Sequence, residues 1–186
     1  MKTTKVILIL TFAFLLMTAP FILANNNDPI KNLKEVSNDE ATIVGVAASN
    51  ENFSTLVAAV KAADLVETLN SEGPFTVFAP TNEAFDKLPE GTVASLLKEE
   101  NKEVLSAVLT YHVVAGKFNA SDVLKAIKDN GGNFVITTVN GEKLEAYTKD
   151  GKVMLKDAKG NTATIILTDV AASNGVIHAI DSVVMP

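Results

Sequence analysis

From Ala41 onward the chain alternates between two hydrophobic rhythms, one helical and one of period two. Phe53, Leu56, Val57 and Val60 recur at helical spacing, and Asp64 is placed to cap a further turn through Val66 and Leu69. An apolar run of β-formers, Phe75-Thr76-Val77-Phe78-Ala79, ends on Pro80, which cannot donate to a ladder. Thr81 then caps a helix opening Asn82-Glu83-Ala84-Phe85, with Glu83 at the positive end of its dipole. Val93, Leu96 and Leu97 predict a short helix. Val104, Leu105, Val108 and Leu109 predict another that runs into Tyr111-His112, and Ser121-Asp122 starts a third carrying Val123, Leu124 and Ile127.

Past Gly131-Gly132 the period becomes two. Phe134–Val139 and Lys143–Tyr147 flank the hairpin signal Asn140-Gly141; Asp150-Gly151 leads into Val153–Lys156, and Gly160-Asn161 into Thr162–Thr168. The last predicted strand is Gly175–Met185. Val176, Ile180 and Val184 share one of its faces with His178, and Ile177, Val183 and Met185 share the other with Asp181. Apolar residues on both faces imply a strand covered on both sides, where a His and an Asp need hydrogen-bond partners. Helices first and a β-meander later predict an α+β domain, its helices beside a mostly antiparallel sheet.

The first 40 residues follow neither rhythm. Lys2 and Lys5 precede the apolar run Val6–Ala24, which ends in a small residue before three asparagines. This predicts an export signal over residues 1–24, and Pro20 with the small residue at 24 points to removal rather than retention as an anchor. Residues 25–40 are polar, contain Pro29 and read as a linker, leaving 41–186 as the folded domain. The expected protein is secreted or periplasmic, with no stable membrane insertion once the signal is gone. It contains no cysteine, so neither disulfides nor thiol chemistry enter, and a body of this size is large enough to rest on its own core.

After Ala24 there are 14 lysines and no arginine against all 22 acidic residues, a net charge of −8. That balance argues against nucleic acid and anionic lipid as partners. The chain has no nucleophile elbow, zinc-protease helix, phosphate-binding glycine loop or calcium loop. The two histidines, His112 and His178, therefore read as imidazoles held by hydrogen bonds rather than as a metal pair or a general base. No enzyme activity, metal or cofactor is expected. Thr81, Asn82, His112, His178 and Asp181 form the predicted structural polar cluster, with His112 bonded to the Thr81-Asn82 turn. The acceptor patterns at Asn52-Phe53-Ser54 and Asn119-Ala120-Ser121 are short enough to arise by chance.

The block TVFAPTNEAF, the pair Tyr111-His112 and the closing NGVIHAID, in that order, resemble the fasciclin (FAS1) domain family over about Ala41 to Pro186. The resemblance implies a β-sandwich-like wedge with several helices along one edge. It also implies an interaction module for adhesion or for surface or matrix association, with a protein or glycan partner or a second copy of itself. A second role known in such relatives is carriage of a small apolar ligand such as a carotenoid or lipid. In animal adhesion members, the segment before the last strand and the Tyr-His block contact receptors; the matching residues here are Asp169, Val170, Tyr111 and His112. Val170 stands where that motif usually has Ile, and Leu167-Thr168 replace an Asn-Lys pair. Taken as a residue type, Asp169 also reads as a cap that accepts backbone N–H groups of its own connection.

Overall fold

The structure, a computed structural model, describes residues 41–186; the predicted signal and linker, residues 1–24 and 25–40, lie outside the described residues. The helical rhythm gives α1 (Ile43–Ala48), α2 (Ser54–Ala62), α3 (Val66–Leu69), α4 (Asn82–Asp86), α5 (Thr92–Leu96), α6 (Lys102–Tyr111) and α7 (Ala120–Asp129). The strands are β1 (Phe75–Pro80), β2 (Val113–Ala115), β3 (Asn133–Thr137), β4 (Lys143–Lys149), β5 (Lys152–Lys156), β6 (Thr162–Ala172) and β7 (Gly175–Ile180). They form one seven-stranded sheet in the order β2-β1-β7-β6-β5-β4-β3. Every neighbouring pair is antiparallel except β1–β7, where Phe75 lies opposite Gly175 and Phe78 opposite His178 in parallel register. The two outer strands approach each other, because Val139 N donates to Val113 O at 2.8 Å. This is the α+β wedge expected from the sequence.

The alternation of side chains along β1 and β7 divides the interior into two cores. Val77, Ala79, Ile177 and Ala179 face Ile43 and Val46 of α1, Leu56 and Val60 of α2, and Leu105 and Leu109 of α6. Phe78 and Ile180 face the other way, toward Val123 and Ile127 of α7 and the inward residues Leu144, Leu155 and Ala163 of β4, β5 and β6. All six residues of β7 are buried, as a strand apolar on both faces requires. Gly175 begins that strand because nothing larger fits: a Cβ there would stand 2.1 Å from Phe75 O.

Four local expectations are corrected. The last strand stops at Ile180, so Asp181, Val183 and Met185 lie in an irregular segment and not on a strand face. Asp64 does not cap α3; it adopts a left-handed φ of 56° and its carboxylate pairs with Lys102. The Asn140-Gly141 connection spans Thr138 to Glu142 rather than Asn140 to Glu142, since the β3–β4 ladder ends at Thr137–Lys143 and Asn140 Oδ1 accepts Glu142 N. Val104 sits on the outer side of α6, 54% exposed, while Leu105, Val108 and Leu109 make its buried stripe.

Candidate functional site

Asp169 lies within β6, not in a connection before the last strand. The β6–β7 register shifts between Ile165 and Leu167 and again between Leu167 and Val170, and Asp169 has φ 58°, a conformation Asp tolerates better than most residues. The bulge is fixed from two directions. Asp169 N donates to His178 Nδ1 at 3.2 Å, and its Oδ1 accepts Ala120 N at 2.8 Å. Ala120 opens α7, whose N-cap Asn119 forms a reciprocal capping box with Asp122. Asp169 is thus a cap, as its residue type suggests, but of a helix 49 residues away in sequence. A carboxylate at that helix end also meets a favourable dipole.

His178 is the buried partner that makes this possible. Its Nε2–H donates to Phe118 O at 2.8 Å, leaving Nδ1 as the acceptor for Asp169, and its ring stacks on Phe78 with centroids 5.8 Å apart. Asp169 itself is exposed and Val170 half-buried against the helix-side core. β5 pairs with β6 only along Thr162–Thr164, and beyond it Ile166 and Leu167 are 54% and 48% exposed.

Tyr111 and His112 occupy the opposite kind of environment. Tyr111 is 0% and His112 2% exposed, which corrects their reading as surface contacts. The Tyr111 hydroxyl donates to Lys143 O at 2.8 Å and accepts Ala158 N at 3.2 Å, joining α6 to the starts of β4 and of the β5–β6 turn. Burial pushes its pKa up. His112 Nδ1–H donates to Val108 O at 2.7 Å, and Nε2 accepts Val184 N at 3.3 Å. Desolvation holds its pKa down at about 4, against a weaker opposing effect of the Val108 bond, so the ring is neutral at pH 7.

The predicted polar cluster resolves into separate pairings. Thr81 caps α4 by accepting Ala84 N at 3.3 Å. Asn82 does not reach His112: its Oδ1 accepts Thr55 N at 3.0 Å and its Nδ2 donates to Glu51 O at 2.9 Å, tying α4 to the start of α2. Asp181 Oδ1 accepts Thr164 N at 2.7 Å, and its other oxygen lies 3.5 Å from Lys87 Nζ. Burial raises the Asp181 carboxyl, but the Thr164 N–H, Lys87 and Ser182 together outweigh it and hold it below its usual value.

A profile of the "Fasciclin domain" matches residues 51–186. The chain belongs to the fasciclin family. Among its relatives, Protein sll1483 of Synechocystis is 56% identical over 155 residues, covering 83% of this chain and 79% of that protein. The transforming growth factor-beta-induced protein ig-h3 of Sus scrofa is 38% identical over 145 residues, covering 78% of this chain but only 19% of that longer protein. Immunogenic protein MPB70 of Mycobacterium bovis is 35% identical over 173 residues, covering 90% of this chain and 79% of the relative. The FAS1 domain pair of the insect cell adhesion molecule Fasciclin I superposes with a TM-score of 0.70 at 18% identity, over 78% of this chain and 51% of that one, which shows the shared fold.

Two further fasteners of this fasciclin domain escaped the sequence reading. Asn174, in the tight turn before β7, accepts Ile43 N through Oδ1 at 2.9 Å and donates through Nδ2 to Leu69 O and Ser71 O, so α1 and α3 both hang on one amide. Asp157, nearly buried, accepts Lys159 N and Asn161 N on one oxygen, and Asn161 Nδ2 and Met185 N on the other. The signal for Asp157 was its place at the head of Asp157-Ala158-Lys159-Gly160-Asn161, a turn that Asp stabilises by accepting N–H groups two and four residues on.

Two apolar spaces in the domain are small. One of about 30 Å³ lies among α1, α2, α3 and β1, and another of about 20 Å³ lies beside Leu65 and Val139. Each has room on the order of a single water, and a pigment or lipid chain enters neither without the helices parting. Among the described residues, no group of three or more His, Asp or Glu side chains is placed to hold a metal ion, and no helix is long and apolar enough to cross a membrane.

Proposed function

We propose that this fasciclin domain is a secreted or periplasmic, non-enzymatic interaction module whose partner contact is the Asp169–Val170 bulge of β6. The partner is a protein or glycan of a cell surface or matrix, or a second copy of the chain. The reading rests on one observation above the others: Asp169 is exposed, yet held in a left-handed conformation by a buried histidine and by the N-terminus of α7. A carboxylate fixed in this way reaches its partner with little ordering cost, which is the usual source of affinity in a small contact. An adhesive or surface role is supported by relatives that include a cell surface glycolipoprotein of Mycobacterium bovis and by the shared fold of the insect cell adhesion molecule. The acidic, arginine-free composition argues against nucleic acid as the partner.

The test is capture of envelope and extracellular material on the immobilised protein, compared with its Asp169→Asn variant. Asn keeps the left-handed preference and an oxygen for Ala120 N while removing the charge. Partners captured by the native chain should fall at least tenfold on the variant. Equal capture by both excludes the bulge as the contact.

A further inference from the structure

The segment Asp181–Pro186 has no regular secondary structure, yet Val184 is fully buried and Val183 nearly so. Its hold on the body is chemically unusual. A strand is held by amides that donate to carbonyls, which do not titrate at any ordinary pH. Here Val184 N donates to the His112 imidazole and Met185 N to the Asp157 carboxylate. The segment's first residue, Asp181, keeps one ordinary backbone bond, from its N to Thr164 O at 3.1 Å, and is also held through its own carboxylate by Thr164 N and through its carbonyl by Lys87 Nζ at 2.6 Å.

Of these bonds, the one to His112 is the least tolerant of acid. The bond from Nδ1–H to Val108 O fixes the ring proton on Nδ1, so Nε2 offers only its lone pair to Val184. A proton arriving at Nε2 would point at the Val184 N–H, and donor would face donor. Nothing nearby compensates the new charge. From α1, α2, α3, β1 and β2 the ring is faced by Ile43, Val57, Leu69, Val77 and Val113, all apolar. The charged groups on the strap's side are Asp157, Lys159, Lys87 and Asp181, and the Asp157 oxygens already take four N–H donors. Burial accordingly keeps the ring neutral down to about pH 4. The β1–β7 ladder consists of backbone bonds that no titration touches, so the strap can leave while that part of the sheet stays.

We propose that Asp181–Pro186 is an acid-released strap, and that protonation of His112 at Nε2 is the event that frees it from the folded body. Release uncovers Val183 and Val184 together with the core surface they cover, an apolar face absent from the protein at neutral pH. The inference is independent of the role of Asp169.

Amide hydrogen exchange of the full chain, read by NMR as protection factors between pH 7 and 3.5, tests it. Protection at Val184 should fall about tenfold per pH unit between 6.5 and 4 and then level off, as expected for opening linked to one proton. At pH 4 it should lie at least a hundredfold below that of the β1–β7 ladder amides. His112→Gln, which supplies Val184 with an acceptor that does not titrate, should flatten the profile. Asp157→Asn, which does the same for Met185, should leave the slope at Val184 intact. The native profile decides even where a variant fails to fold. Protection at Val184 that stays constant, or that only tracks the ladder amides at every pH, overturns the proposal; so does a slope that survives in His112→Gln or disappears in Asp157→Asn.

Discussion

Tyr111–His112 and Asp169–Val170 carry the same kinds of bond in opposite settings. At Tyr111–His112 every polar side-chain atom is consumed by backbone groups inside the molecule, and two aromatic rings fill volume that apolar residues would otherwise fill. At Asp169 one carboxylate oxygen is consumed by Ala120 N, while the other has no hydrogen bond or ion pair among the described residues. The first region spends its polarity on stability. The second keeps half of its polarity facing solvent, on a backbone too constrained to move away. A residue's recurrence in a motif therefore says little about whether it holds the fold or meets a partner; its unspent hydrogen-bonding capacity says more.

That contrast predicts an ordered set of effects. His112→Ala should be the most damaging, since it orphans Val184 N and Val108 O and enlarges the 30 Å³ cavity beside the ring. The expected loss is about 3–4 kcal/mol, or a fall in Tm of about 10 °C in a thermal melt. A Tm within 2 °C or so of the native value would break the comparison outright.

Acid should act on the same residue. The folded pKa of His112, about 4, lies below its ordinary 6.5, so between those values the unfolded chain binds more protons than the folded one. Stability contributed by this group is therefore intact above pH 6.5 and falls by about 3 kcal/mol as pH drops to 4. Asp181, whose folded pKa is depressed below its ordinary 3.8, adds a loss in the same direction only below about pH 4. Urea titrations at pH 7 and pH 4.5 therefore read the His112 effect alone, and equal midpoints would contradict it.

Smaller effects sharpen the picture. Tyr111→Phe keeps the ring but leaves Ala158 N and Lys143 O without their partner, at a cost of about 1–2 kcal/mol in the urea midpoint with the slope unchanged. Asp169→Asn should change stability by less than about 0.5 kcal/mol, whereas Asp169→Ala costs about 1 kcal/mol because alanine dislikes φ 58°. If Asp169→Asn proved as destabilising as Tyr111→Phe, the bulge would belong with the interior fasteners.

Elements set by local chemistry were legible in advance. The FTVFAPT block displays its strand, its proline stop and its threonine cap in consecutive residues, and the structure carries all three. The burial of β7 on both faces followed from its unbroken apolar run. What remained hidden depends on residues far apart. Asn82 and His112 both need partners, and the sequence offered them to each other; the fold instead gives Asn82 to α2 and His112 to the Asp181–Pro186 segment. Asp169 was readable as a cap but not as the cap of α7, because only the double register shift in β6 turns it there. Strand β2, three residues long, is too short for any period to show.

The parallel pairing of β1 with β7 has a consequence for how the molecule is made. Two neighbouring strands of the sheet lie a hundred positions apart, Phe75 opposite Gly175. The meander from β3 to β6 joins neighbours in sequence, but β1 leaves the ribosome with one long edge unpartnered until β7 follows. Any interruption of synthesis before residue 175 yields a chain without the strand that joins β1 and β2 to the meander. Such a product is a target for proteases and chaperones rather than a smaller working domain.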